Sequence, residues 1–248
     1  VNRFNKIIRL VKASKGTVFL TGAGISTESG LPDFRSDHGF WTKNKPIQFN
    51  EFLLSEEKQR LSWKRNIELH SLLKQIKPNI GHAFVEKIIS MQKNNFLITQ
   101  NIDGLHQKSG VPKNKIIEIH GSAIEAACLE CEAKQNILDF HSAIKSKSPL
   151  PKCAICDGVV KVATISFGQP MNEMDMMHAS KIVEDSDLMI VMGSSLKVLP
   201  AGKLPNLAMQ SGSKLIIFNR DETRYDSSAD IVINDELKNI CSRLIQEL

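Results

Sequence analysis

The 248-residue chain contains no apolar run of the ~18–20 residues that a membrane-spanning helix needs, so association with a membrane is not expected. Its opening residues, Val1-Asn2-Arg3-Phe4, show a polar helical pattern in place of the apolar core of a signal peptide, and a cytoplasmic location is expected. Aromatic residues are few, with one Tyr and two Trp. The stretch from Ala126 to Val160 has Phe140 as its only aromatic, which leaves no platform for stacking bases. No block of one charge stands out: the net charge of +5 is spread along the chain, and direct nucleic-acid binding is not expected. Internal repeats and low-complexity segments are absent. With five cysteines, four of them in two C-x-x-C pairs, the chain points to metal binding in a reducing compartment and away from a disulfide framework.

What is present is a series of short apolar strands alternating with helical patterns, the signature of a doubly wound parallel α/β sheet. Thr17 to Leu20, Phe96 to Ile98, Ile116 to Ile119, Val162 to Phe167, Leu188 to Met192, Lys214 to Phe218 and Asp230 to Ile233 read as strands. Helical spacing marks residues 2–14, Glu51 to Leu54, Leu61 to Ile76, His82 to Met91, Asn172 to Glu184, Ala201 to Met209 and the C-terminal segment around Cys241. Pro78 with Gly81 reads as the end of an insertion over residues 37–80. In the 172–184 helix, Met174, Met177, Ile182 and Val183 are expected in the core, and Glu118 on an exposed strand face.

Two small-residue turns follow strands: Gly22-Ala23-Gly24 and Gly193-Ser194-Ser195. Backbone N–H groups in such turns can approach a phosphate closely. A dehydrogenase-type dinucleotide unit would run a full helix into a second strand ending in an acidic residue about 20 positions on. Pro32 instead breaks the helix almost at once, which disfavours ordinary hydride transfer. The densest polar cluster, Gln100-Asn101-Ile102-Asp103, leaves the end of the Phe96 strand, where parallel sheets place their ligands. His120 leaves the end of the next strand; an imidazole there can accept a proton near neutral pH. Cys128-x-x-Cys131 and Cys153-x-x-Cys156 have the spacing of a tetrahedral Cys₄ zinc site, and four thiolates leave no position open for catalysis, so one structural zinc is expected.

Taken together, Gly22 to Arg35, Thr99 to His106, His120-Gly121, the two cysteine pairs, Phe167-Gly168 and Gly193 to Pro200 stand in the order found in the sirtuins, NAD-dependent protein-lysine deacylases, which this chain resembles over nearly its whole length. The resemblance implies a Rossmann-type domain (residues 1–34, 83–122 and 164–248), a cofactor loop and helical insert (35–82) and a zinc ribbon (123–163), with NAD and an acyl-lysine peptide meeting in the cleft between the parts. It implies that Gly22, Ala23, Gly24, Thr27, Asp33, Phe34 and Arg35 surround the pyrophosphate and reactive ribose. Gln100, Asn101, Ile102 and Asp103 would hold the nicotinamide ribose and carboxamide, while Gly193, Ser194, Ser195, Asn219, Arg220 and Asp221 would take the adenosine half. His120, with Asn101, would carry the catalysis: the acyl group passes from lysine to ADP-ribose as nicotinamide leaves, with His120 as base. The peptide would lie as an added strand against Ile165, Phe167 and Gly168 on one side and Leu196 and Val198 on the other.

Three departures from the family pattern are visible. Gln169 stands where Glu is usual. Lys161-Val162 replaces Arg-Pro, a change expected to affect packing beside the zinc ribbon. Phe40 and Lys43 stand where members that take acidic acyl groups use Tyr and Arg, so acetyl or a longer aliphatic acyl is favoured over succinyl. A mono-ADP-ribosyltransferase is the nearest alternative and a non-catalytic zinc-ribbon adaptor a more distant one. A monomer acting on acyl-lysine proteins is expected. His38, His70, His82, His141 and His178 are read as surface or packing residues, and His106 as a supporting residue of the central loop.

Overall fold

The computed structural model describes residues 3–32, 45–141 and 149–248. Asp33, Phe34 and Arg35 lie outside the described residues, as do Phe40, Trp41 and Lys43. In chain order the described strands are β1 (Thr17–Thr21), β2 (Phe96–Thr99), β3 (Ile116–Glu118), β4 (Gly121–Cys128), β5 (Lys134–Asn136), β6 (Val160–Thr164), β7 (Leu188–Met192), β8 (Lys214–Phe218) and β9 (Ile231–Ile233). Among the described residues the α-helices are α1 (Arg3–Ala13), α2 (Phe49–Leu54), α3 (Glu56–Gln75), α4 (Ile80–Met91), α5 (Leu105–Lys108), α6 (Glu173–Asp185), α7 (Leu204–Gln210) and α8 (Leu237–Glu247). No helix among the described residues is long and apolar enough to cross a membrane.

Six strands form one sheet in the order β3-β2-β1-β7-β8-β9, and every neighbouring pair is parallel. Both faces are covered, which explains why the strands read as unbroken apolar runs. Phe19, Ile190, Met192, Ile216 and Phe218 point to one face and pack with Ile7, Phe84, Ile88 and Ile240 of α1, α4 and α8. The residues between them, Val18, Leu20, Met189, Val191, Leu215 and Ile217, point to the other face and pack with Ala179, Val183 and Leu204. Burying each such aliphatic side chain stabilises the fold by about 1.5–3 kcal/mol.

The second sheet is antiparallel, in the order β5-β4-β6. The Val162 run belongs here, not to the parallel sheet, and stops at Thr164 because its partner is the start of β4, where Gly121 pairs with Thr164. The helical insert packs onto this sheet: Trp63 of α3 joins Ala126, Ile137, Phe140 and Val160, with the Trp63 and Phe140 rings 5.3 Å apart.

Several sequence expectations are corrected. Helix α3 begins at Glu56, because the Ser55 hydroxyl accepts a hydrogen bond from the Lys58 amide at 3.3 Å and Glu56 and Glu57 favour the first turn. Gly81 does not close the insertion; it lies in the first turn of α4, capped by the Asn79 side chain, which accepts from the Gly81 amide at 2.8 Å. Met174 and Met177 are 70% and 65% exposed, because the inward stripe of α6 runs through Met176, Ala179 and Val183. The Lys161-Val162 pair does lie in the packing beside the cysteine module, with Val162 in its core, and Lys161 is 4% exposed, donates to the Val162 carbonyl at 3.1 Å and to that of Thr164, and has its pKa lowered by burial to about 8.

The loops after β1 and β7 touch backbone to backbone at the point where the strand order reverses. Gly24 N–H donates to the Gly193 carbonyl at 2.9 Å, and Gly22 N–H to that of Met192 at 3.1 Å. Gly193 has φ +62°, and a Cβ there would lie 2.4 Å from the Ile25 nitrogen. Gly193→Ala is therefore expected to cost about 2 kcal/mol or more through left-handed strain and this clash. Denaturant unfolding checks it; a variant within 0.5 kcal/mol of wild type (roughly the scatter of neutral surface changes) would contradict the packing described.

Candidate active site and metal centre

The C-terminal ends of β1, β2, β3, β7 and β8 all open on one cleft of about 1000 Å³, the crevice in which open α/β sheets take ligands. Of the residues expected there, Gly22, Ala23, Gly24, Thr27, Gln100, Asn101, Ile102, Asp103, His120, Gly193, Ser194, Ser195, Asn219, Arg220 and Asp221 line it. The opposite wall brings in Ile165, Phe167, Gly168 and Val198. Leu196 is the exception: it is 1% exposed, packs in the apolar layer on one face of the sheet, and does not line the cleft.

Beneath the cleft lies a buried polar network. The Ser26 hydroxyl donates to Asp103 Oδ2 at 2.7 Å and accepts from Asn101 Nδ2 at 3.2 Å. His82 Nδ1 accepts from the Asn79 amide at 3.2 Å, which leaves Nε2–H to face Ser26 Oγ at 3.5 Å. Burial holds the His82 pKa down to about 4, so this imidazole stays neutral. His106 Nε2 meets Thr21 Oγ1 at 3.0 Å, Thr21 donates to Thr99 Oγ1 at 2.8 Å, and Thr99 accepts from the Asn101 amide at 3.0 Å. The central loop is thus tied down from below by side chains of β1, β2 and α4. Asp103 also caps the Leu105 amide at 2.9 Å, and burial raises its pKa against these hydrogen bonds.

Two atoms are left for a ligand. Asn101 Oδ1 is buried and has no hydrogen-bond partner, on a residue lining the cleft. A buried acceptor left empty is costly, so the cleft suits a molecule that donates there, as a ribose hydroxyl does. His120 Nδ1 lies 3.0 Å from the Gln100 carbonyl, an acceptor, so Nδ1 carries the proton and Nε2 keeps its lone pair. Burial lowers the His120 pKa, and the bond to Gln100 partly opposes that shift. Gln100 in turn donates from Nε2 to Ser194 Oγ at 2.8 Å, joining the loops after β2 and β7.

The four cysteines Cys128, Cys131, Cys153 and Cys156 converge, with all Sγ atoms within 4.8 Å of one another. Cys128 and Cys156 sulfurs are 3.5 Å apart and those of Cys131 and Cys153 3.6 Å. Tetrahedral zinc with Zn–S bonds of about 2.3 Å requires sulfurs about 3.8 Å apart, so the site fits that ion. The amides of Glu130 and Ile155 point at Cys128 and Cys153 sulfurs at 3.4 Å, as befits thiolate ligands.

Some site features escape a reading of sequence. His82 is a packing histidine only in part, since it also orients Ser26. Arg65 and Glu68 of α3 line the cleft, and Arg65 donates to the Lys45 carbonyl at 2.8 Å. Their i, i+3 spacing on one helix was the available signal. Glu118 is not on an exposed face: it is half-buried, and burial of its carboxyl raises its pKa, countered by a hydrogen bond from Gln107. Gln169 closes a turn, its Oε1 accepting from the Ser166 amide at 3.1 Å.

Residues 22–200 match the model of the Sir2 family. The NAD-dependent protein deacetylase 1 of Bradyrhizobium diazoefficiens is 41% identical over 92% of this chain and 89% of its own length. The NAD-dependent protein deacetylase of Rhodopseudomonas palustris is 38% identical over 92% of this chain and 90% of its own. Among solved structures, a Sir2 with p53 peptide and NAD+ superposes with a TM-score of 0.85 at 35% identity, covering 98% of both chains. Sir2Tm bound to a propionylated peptide does so with a TM-score of 0.83 at 34% identity, covering 99% of this chain and 98% of the other. With one family model spanning most of the sequence and relatives this similar along nearly all of it, the chain belongs to the Sir2 family, the sirtuins.

Proposed function

We infer that the protein is an NAD-dependent protein deacetylase, transferring an acyl group from lysine to ADP-ribose with release of nicotinamide. The observation that carries this reading is the pairing, in one cleft, of a neutral imidazole nitrogen at His120 with the unpartnered acceptor at Asn101. NAD supplies a sugar carbon activated by its positively charged nicotinamide leaving group.

The chain's own residues would work as follows. The Gly22–Gly24 and Gly193–Ser195 turns, with Thr27, offer backbone N–H groups and hydroxyls to the pyrophosphate, while Asn219 to Asp221 sit beyond them for the adenosine end. Asp33, Phe34 and Arg35 are assigned to the same pocket on family likeness. Asn101 Oδ1 accepts from a ribose hydroxyl, and Ile102 and Asp103 hold the carboxamide; the raised pKa of Asp103 suits a group that meets a neutral amide. His120 Nε2 takes the proton from a ribose hydroxyl as the acyl group moves away from nitrogen. The Ile165–Gly168 and Ser195–Val198 segments grip the peptide backbone, leaving side-chain preference loose. On the family likeness at Phe40 and Lys43, acetyl or a longer aliphatic acyl group is favoured over an acidic one.

Incubation with NAD and acetyl-, propionyl- or succinyl-lysine peptides should yield O-acyl-ADP-ribose from the first two, read by mass spectrometry. ADP-ribose appearing on protein instead would favour the transferase alternative. His120→Ala should lower kcat by roughly 10²–10⁴, with zinc content unchanged. Because the buried imidazole holds its proton less well than free histidine, the wild-type rate should rise with pH through an inflection below about 6.5 and then level. An inflection above that value, or a variant retaining substantial turnover, would remove His120 as the base. Stripping zinc with a chelator, or Cys153→Ala, should lower the melting temperature before any effect on NAD binding is seen, since structural zinc couples binding to folding. A chelated protein of unchanged melting temperature would count against a structural metal.

A further inference from the structure

The peptide wall is held from behind by a loop that the reaction itself does not use. The Gly202 carbonyl accepts two side-chain hydrogen bonds, from Arg224 Nη2 at 2.6 Å and from the Tyr225 hydroxyl at 3.0 Å. The same residue's N–H donates to the Val198 carbonyl at 2.7 Å. Gly202 also rests directly on the wall: a Cβ there would lie 2.3 Å from the Leu196 carbonyl oxygen. Leu196 itself has φ +57°, a left-handed conformation that a branched side chain adopts at a cost and keeps only where its surroundings enforce it. The Leu196 side chain supplies one anchor, in the same buried layer against which Tyr225 packs. The Gly202 peptide supplies the other.

Arg224 and Tyr225 are well placed to act together. The guanidinium carbon sits 5.1 Å from the centre of the Tyr225 ring. Their turn is closed by Asp226, whose Oδ1 accepts from the Thr223 amide at 3.1 Å. The far end of the turn is tied to the sheet by Asn234, which donates to the Asn219 carbonyl at 3.2 Å and to Asp226 Oδ2 at 3.4 Å. Neither Arg224 nor Tyr225 lines the cleft, whereas Lys197, Val198 and Leu199 do.

We propose that Arg224 and Tyr225 are positioning residues for peptide binding: by clamping the Gly202 carbonyl they fix the 196–202 turn, and with it the backbone edge that receives the acyl-lysine peptide. This rests on the deacetylase reading above. An edge strand recognises its partner through backbone hydrogen bonds, so loosening the edge weakens peptide binding while leaving the dinucleotide turns and His120 in place.

The test compares Tyr225→Phe, Arg224→Met, the double variant and Arg224→Lys with wild type. Two readouts are steady-state constants for acetyl-lysine peptide and NAD, and amide hydrogen exchange across residues 196–203. Each single loss should raise the peptide KM about fivefold, the scale of one hydrogen bond, with kcat and the NAD KM within about twofold. Exchange over 196–203 should quicken, and Arg224→Lys, which keeps a donor, should recover most of the peptide KM. Unchanged exchange in the double variant would overturn the clamp. Faster exchange with an unchanged peptide KM, or equal rises for peptide and NAD, would overturn its role in positioning the peptide. A wild-type protein that turns over no acyl-lysine peptide would sink the deacetylase reading instead, and the exchange data would still decide whether the clamp exists.

Discussion

Where the loops after β1 and β7 meet, two backbones approach so closely that neither can carry a side chain at the point of contact. Gly24 hydrogen-bonds to Gly193, Gly193 hydrogen-bonds to Phe218, and the extra atom of any other residue at 24 or 193 would collide with the opposite chain. This contact sets the separation of the central strand ends, and hence the mouth of the crevice into which every cleft loop projects. The polar residues owe their aim to it. Gln100 reaches Ser194 because β1 brings the β2 and β7 ends within one side chain's length of each other.

Below that mouth the structure spends buried polar groups freely, yet almost all are satisfied by one another. Ser26 serves Asp103, Asn101 and His82 at once. Such a network is stiff, since each member fixes the rotamer of the next, and it remains uncharged at its histidines because burial disfavours the imidazolium. Two acceptors of this network are left without a partner, His106 Nδ1 and Asn101 Oδ1; the second, on a residue lining the cleft, therefore has a fixed position before any ligand arrives. Preorganisation of this kind lowers the cost of binding and of reaching the transition state alike.

Much of this was legible in the sequence. The parallel sheet announced itself through apolar runs such as Leu188–Met192, which only a strand buried on both faces would show. The cysteine pairs and the Gln100–Asp103 loop were readable because metal ligands and strand-end polar clusters have fixed local spacing. What stayed hidden was long-range. Val160–Thr164 looks like any other apolar strand until its antiparallel partner is known. Met174 and Met177 satisfy helical periodicity, but which stripe of α6 faces inward depends on where the sheet lies. Arg65 faces the cleft only because Trp63, two residues earlier, is buried against the cysteine module.

The pairing of Thr17 with Leu188 sets an order of events during synthesis. The two innermost strands of the large sheet emerge far apart in time, and β1 has only β2 beside it, with β3 beyond, until β7 has been made. The cysteine module, running from Gly121 to Thr164, is complete well before that. Its strand pairings and its four cysteines lie within that one stretch, so it can close while the chain is still growing, whereas the non-local sheet closes late. The ribosome thus delivers the module against which Trp63 of α3 packs before the floor of the cleft is complete.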